Sequence, residues 1–342
     1  MKENELEILG QYDIDVNSTR KVRGAVLCDT KQGVFLLKEI NFSEKRIPAL
    51  YEVYLHIQEQ GYENIDMIVK NKEEELVSVA GTGTKFLLKK WFYGRECDNK
   101  KEQDILGGVQ NLALLHRIMK QSEESKIVTI RLKEENEIVA TRLNRDMQEE
   151  FQRHNREMKK MRTYMRSRVG KGEFESVYLK HFDTMYEWAE TASVRLESSG
   201  YRELLRKSRE DGAIVHGDYN YHNILMIPNG IATTNFERFH YGIQLEDFYY
   251  FLRKAMEKNQ WNVQLGHKMI ECYNRTKPLT EAELSYLAVC IAYPEKFWKA
   301  ANSYSRSRKV WISEKSIEKL NLAIKQTEEK KEFLKTVFGF CL

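Results

Sequence analysis

Ile214-Val215-His216-Gly217-Asp218-Tyr219-Asn220-Tyr221-His222-Asn223-Ile224-Leu225-Met226 sets two apolar segments on either side of a polar loop. The loop carries an acid, Asp218, and an amide, Asn223, five positions apart. Phosphoryl transfer uses a carboxylate to orient the attacking hydroxyl and an amide oxygen nearby to hold a metal on the phosphates, and a short loop between strands can present both. On this reading Asp218 is the catalytic base and Asn223 a metal ligand.

The same chemistry asks for a second acid at the end of the following strand, where a carboxylate chelates magnesium between the phosphates. That place reads Thr234-Asn235-Phe236-Glu237, which puts Asn235 in the register of the metal-binding acid. An amide there keeps an oxygen but loses the charge. Glu237, with a longer side chain, is the other candidate for that metal.

The run His216-Gly217-Asp218, four residues, Asn223 and Ile224-Leu225 resembles the loop of aminoglycoside phosphotransferases, choline kinases and their relatives. More narrowly, the chain resembles the CotS-type spore coat proteins, a bacterial branch of that kinase-like fold. The resemblance also draws on Trp91-Phe92-Tyr93-Gly94-Arg95-Glu96-Cys97, on Leu112-Ala113-Leu114-Leu115-His116, and on Glu246-Asp247-Phe248 ahead of Arg253 to Trp261. It implies an α+β, two-lobed protein-kinase-like fold: an N-terminal lobe over residues 1–94, an antiparallel sheet plus one helix, and a mostly helical C-terminal lobe over 95–342 that holds the catalytic loop. An active member would use ATP and Mg2+; an inactive one would need no cofactor.

Within that plan other residues acquire expected roles. Lys38, at the end of Phe35-Leu36-Leu37-Lys38, takes the place of the lysine that touches the α- and β-phosphates, facing Asp218 across a cleft between the lobes. Its carboxylate partner should lie on the next helix, which Pro48 and the stripe Leu50, Tyr54, Ile57 mark out up to Gly61; Glu52 is the candidate, with Glu44 and Glu59 as rivals. The segment Asn17 to Gly24 would cover the phosphates between the first two strands of a three-strand meander. It has one glycine and three cations, so the side chains of Arg20, Lys21 and above all Arg23 would bind the anion in place of backbone amides; a solvated basic hairpin gives the same residues. Gly94 would be the hinge against which adenine lies, free to turn without steric penalty. Asp247, at a helix start, would hold the catalytic-loop backbone or simply complement the helix dipole.

Composition sets outer bounds. The 342 residues are 42% apolar and 31% charged, ordinary for a globular chain, and 55 basic against 51 acidic side chains leave a net charge of +4 that says little about nucleic acid. The five cysteines, Cys28, Cys97, Cys272, Cys290 and Cys341, form no close pair of the kind zinc or redox motifs need, which fits a reducing cytoplasm. Met1 to Gly10 is acidic and polar, unlike a secretory leader, and no run approaches the roughly 20 apolar residues of a membrane span. No membrane association is expected.

Helical periodicity runs through Glu102–Lys120, with His116 on the apolar side as a core residue, and through Phe174–Ser198. Further helices are expected over Gly242–Asn259, Trp261–Tyr273, Glu281–Tyr293 and Ser313–Phe338. Phe151 to Lys171 is basic, with Arg153, Arg156, Lys159, Lys160, Arg162, Arg166, Arg168 and Lys171 against Glu157 alone. Its apolar spacing suits a packed helix with a solvated face, and no aromatic stacking motif supports RNA binding.

Two functions follow from the resemblance. One is a coat-associated protein, made in the mother-cell cytoplasm and carried into the spore coat with other coat proteins as partners, that keeps the kinase fold with nucleotide handling weak or absent. The other is an active phosphotransferase that takes ATP and a small-molecule hydroxyl.

Overall fold

The computed structural model describes residues 3–120, 146–306 and 313–342. They divide into two compact units, Met1–Leu143 with Asp211–Asp247, and Asn144–Glu210 with Phe248–Leu342.

The first unit begins with a short helix, α1 (Glu3–Leu9), and a meander of β1 (Val16–Val22), β2 (Ala25–Thr30) and β3 (Gly33–Glu39). Helix α2 (Ile47–Glu59) separates β3 from β4 (Ile68–Val69), β5 (Ser78–Val79) and β6 (Lys85–Lys90). The strands form one antiparallel sheet in the order β1-β2-β3-β6-β4, with β5 on β6. The segment expected to be a phosphate-covering loop is for the most part the strand β1. Val22 pairs with Ala25, and only Arg23 and Gly24 turn, both at positive φ (47° and 82°), the two-residue hairpin geometry that matches strand twist.

Alternation along the strands gives the sheet two faces. Val26, Cys28, Leu37, Phe86 and Leu88 pack with Ile8, Leu9 and Tyr12 of the N-terminal segment, while Ala25, Leu27, Val34 and Leu36 line the other face with Val22 and Trp91. Lys38 pairs with Leu87 and Lys89 with Leu36, so both lysines project from this second face.

In α2, Pro48 occupies the first turn, where its missing N–H costs nothing, and Ile47, Leu50, Val53, Tyr54 and Ile57 form the buried stripe. After β7 (Arg95–Glu96) and α3 (Glu102–Ile118), the unit resumes with β8 (Ile214–Val215), β9 (Ile224–Ile227), β10 (Gly230–Thr233) and β11 (His240–Tyr241). These make two small sheets, β10-β9-β7 and β11-β8.

The second unit is helical: α4 (Met147–Ser167), α5 (Glu173–Ser198) and α6 (Tyr201–Glu210), then α7 (Leu245–Lys258, whose first residues belong to the first unit), α8 (Val263–Thr276), α9 (Glu281–Ala292), α10 (Glu295–Arg306), α11 (Glu314–Lys325) and α12 (Thr327–Phe338). A sheet-rich N-terminal region and a mostly helical remainder give the expected α+β architecture. Helices α6 and α10 were not expected, and the single helix expected over Ser313–Phe338 breaks at Gln326. Pro294 explains α10: it ends the preceding helix and starts the next. The basic stretch is the packed helix α4, with Met158, Met161 and Met165 buried and Arg162 and Lys159 paired with Asp183 and Glu190 on α5. Among the described residues no helix is long and apolar enough to cross a membrane.

Candidate active site

Every sequence-nominated site residue lies in the first unit. The loop between β8 and β9 is held from behind by Asp247, whose two carboxylate oxygens accept from the backbone N–H groups of His216 (2.6 Å) and Gly217 (2.9 Å). Burial pushes the Asp247 carboxyl up, but His116, 3.4 Å away, His216 and these N–H donors outweigh it and hold it below the usual carboxylate range. The sequence expectation that Asp247 fastens the loop therefore describes its contacts, and His116 is a core residue, fully buried.

His216 continues the bracing. Its Nε2 donates to the Thr234 carbonyl (3.0 Å) and its Nδ1 accepts from the Asp218 N–H (3.1 Å), a pattern that places the ring proton on Nε2. Gly217 has φ +79°, and a Cβ there would stand 2.2 Å from the Arg238 carbonyl oxygen, so the loop takes this path only with glycine. Tyr219 is buried with its hydroxyl on the Gly108 carbonyl (2.7 Å). Asp218 itself is left partly exposed; its carboxylate accepts from Asn220 Nδ2 (3.0 Å) and lies 3.9 Å from Arg238 Nη1.

The two amides meet. Asn223 donates Nδ2 to the Asp218 carbonyl (2.8 Å) and accepts, at Oδ1, from Asn235 Nδ2 (2.9 Å). Asn235 Oδ1 in turn accepts from Lys38 Nζ (3.1 Å). A hydrogen-bonded chain therefore runs from Lys38 through both amides to the backbone of Asp218. Asn235 has φ 65° and ψ 56°, a left-handed conformation that Asn and Asp tolerate better than other side chains.

Lys38 also donates to Glu237 Oε1 (2.9 Å), and the same oxygen accepts from Lys89 Nζ at 2.7 Å. Lys89 is fully buried and reaches Asp66 Oδ2 (2.9 Å) and the Tyr54 hydroxyl (3.3 Å). Asp66, equally buried, also accepts from the Tyr54 hydroxyl (2.9 Å) and the Asn235 N–H (2.9 Å). The result is a closed cluster of two ammonium and two carboxylate groups. Burial raises the Glu237 carboxyl, yet the ammonium groups of Lys89 and Lys38 win and hold it well below the carboxylate range. Burial lowers Lys89, and Asp66 with Glu237 more than restore it.

Three nominated residues stand elsewhere or act otherwise. Glu52 is exposed on α2, off the buried stripe Leu50-Tyr54-Ile57, so it does not meet Lys38, whose carboxylate partner comes instead from beyond β10 as Glu237. Of its rivals, Glu44 pairs with Lys85, and Glu59 is exposed. Arg23, at the hairpin tip, pairs with Glu96 at 2.7 Å, and Glu96 also contacts His222 (2.7 Å). Gly94 is required by close approach, not by a turn: a Cβ would stand 2.6 Å from the Met226 carbonyl oxygen, and φ there is not positive. Lys89, Asp66 and the hydroxyl role of Tyr54 had no signal in the motif. The one clue was Lys89 sitting in the Leu87 phase of an apolar strand.

The family plan implies magnesium, and the donor set does not fit it. Asn223 and Asn235 offer neutral amide oxygens already engaged by an amide and an ammonium, and Glu237 is held by two ammonium groups. A divalent ion would sit against the Lys38 charge, and the Asp218 carboxylate already accepts from Asn220 Nδ2. Among the described residues no group of three or more His, Cys, Asp and Glu side chains is placed to hold a metal.

Comparison with known proteins gives a consistent picture. The family model described as "Spore coat putative kinase YutH" matches residues 5–337. Spore coat protein S of Bacillus subtilis (strain 168) is 25% identical over 163 residues, 47% of this chain and 46% of that protein, so the match spans about half of the relative's length. Among solved structures, an aminoglycoside phosphotransferase from Alicyclobacillus acidocaldarius subsp. acidocaldarius DSM 446 superposes with a TM-score of 0.84 at 16% identity, covering 97% of this chain and 94% of that one. A spectinomycin phosphotransferase in its AMP-bound complex gives 0.63 at 10% identity, with 97% of each chain covered. At these identities the solved structures speak for the fold.

Proposed function

Since the chain belongs to the YutH family of spore coat kinase-like proteins, we propose that it is a coat-associated protein that keeps the phosphotransferase fold with its metal-dependent chemistry weakened or lost. The observation that carries this reading is Asn235: an amide where the reaction needs a carboxylate, tied to Asn223 on one side and Lys38 on the other. A neutral amide binds magnesium less well than a carboxylate, and metal bridging is what offsets phosphate charge as the transition state forms. The protein would be made in the mother-cell cytoplasm and assemble with other coat proteins.

The second reading is an active ATP-dependent phosphotransferase acting on a small-molecule hydroxyl. Its support is Asp218, whose carboxylate is partly exposed on a loop braced by Asp247, as a base awaiting an acceptor would be. Turnover would require Lys38 and the two amides to exchange their present partners for nucleotide and metal.

Melting temperature with ATP, in magnesium and in chelator, separates the two, because a ligand that binds only the folded state raises it. Weakened chemistry predicts little magnesium-dependent rise in the natural protein and a clear one in Asn235→Asp, whose backbone conformation an aspartate accepts. A strong magnesium-dependent rise in the natural protein that Asn223→Ala removes would show a working metal and nucleotide site, which the active reading requires and the weakened one does not.

A further inference from the structure

Glu237 has a second significance. Its Oε1 sits 2.9 Å from Lys38 Nζ and 2.7 Å from Lys89 Nζ, between two ammonium groups on the same sheet face. Ammonium groups bind carboxylate and phosphate oxygens alike through charge-assisted hydrogen bonds, so a position between two of them also suits a phosphate oxygen. Here the oxygen belongs to the chain. The carboxylate is nearly buried, at 10% exposure, and Lys38 is the more open of its partners at 25%.

We propose that Glu237 is a built-in anion that occupies the oxyanion position between Lys38 and Lys89, so that a phosphate-bearing ligand enters this site only by displacing it. The inference rests on the phosphotransferase fold kept in the function proposed above, in which Lys38 takes the phosphate-contacting place, but does not depend on metal or turnover.

Charge balance supports it. Lys38 and Lys89 are matched by Asp66 and Glu237 within direct contact distance. Asp66 cannot serve as the displaceable group, because it is fully buried and takes Lys89, the Tyr54 hydroxyl and the Asn235 N–H at once. Glu237 follows Asn235 in a single 3-10 turn, Phe236–Arg238, and among the described residues its ion-pair partners are the two lysines. Removing the Glu237 charge leaves an excess cation, which an external oxyanion can then satisfy.

The test is the melting temperature of the full chain in chelator with inorganic pyrophosphate, so metal-dependent nucleotide binding, the readout for the function above, does not enter. Wild type should not respond. Glu237→Gln should melt lower than wild type and gain about 5 °C at saturating pyrophosphate. Glu237→Asp keeps the charge and so avoids leaving an unpaired cation, but is too short to hold both lysines; it should gain an intermediate response that Lys38→Met in the same background removes. Equal responses of wild type and Glu237→Gln would overturn the proposal. So would Glu237→Asp behaving as wild type, whether or not Glu237→Gln folds.

Discussion

Replacing Lys89 with methionine, which keeps much of the side-chain volume, probes the cluster most directly. Among the described residues Lys89 is the only cation in contact with Asp66, at 2.9 Å, and both side chains are fully buried. Glu237 would keep Lys38, so the change strands one carboxylate, not two. Breaking a buried ion pair by deleting one partner costs about 3–5 kcal/mol, since an uncompensated charge stays behind. Asp66 retains two donors, the Tyr54 hydroxyl and the Asn235 N–H, which points to the lower end, about 3 kcal/mol. Equilibrium denaturation in urea measures the loss, and amide exchange in β3 and β6 localises it. The double variant Lys89→Met with Asp66→Asn removes both charges and should recover about 2 kcal/mol of it, a coupling within the range seen for residues in one network. A single-variant loss below about 1 kcal/mol, or a double variant as costly as the sum of its parts, would refute the account of Lys89 as a buried counterion.

Gly217→Ala should destabilise the first unit by about 3 kcal/mol, combining a left-handed backbone with a Cβ driven against the Arg238 carbonyl; unchanged urea denaturation would contradict that geometry. In the second unit, Lys330 lies over the rings of Trp188 and Trp261, and burial pulls its ammonium down to about 7, with Glu257 opposing. The unfolded chain holds that proton up to about pH 10.4, so between the two values it binds more protons than the folded chain and stability should rise with pH. Lys330→Met should flatten the rise, and a wild-type profile that falls from pH 7 to pH 9.5 would count against it.

What the sequence disclosed was local. The His216 to Asn223 loop carries its own spacing, and the stripe of α2 is written in Leu50, Tyr54 and Ile57. Periodicity names the buried face of a helix but not the partner across it, which is why Glu52 was nominated although it lies on the wet side. The Lys38 partner arrives from 199 positions away, and no local pattern encodes that. Lys89 and Asp66 were missed for a related reason: a charged residue near a strand end reads as surface until the sheet is assembled and its phase with Leu87 turns it inward. For Asn17 to Gly24 the basic-hairpin alternative held and the loop reading did not, because a paired edge strand with polar residues looks like a loop, and only the positive φ of Arg23 and Gly24 confines the turn to two residues.

The amide at position 235 and the capture of Lys38 by Glu237 have one electrostatic origin. With Asn235 neutral, Lys38 can share itself between an amide oxygen at 3.1 Å and a carboxylate at 2.9 Å, and the cluster closes with no charge left over. An aspartate at 235 would bring a third carboxylate to two ammonium groups, and burial makes that excess costly unless another cation enters. A divalent ion would supply that charge. The response of Asn235→Asp to magnesium therefore reports more than a restored ligand: it measures whether the internal pairing of Lys38 with Glu237 yields once the charge count no longer favours it.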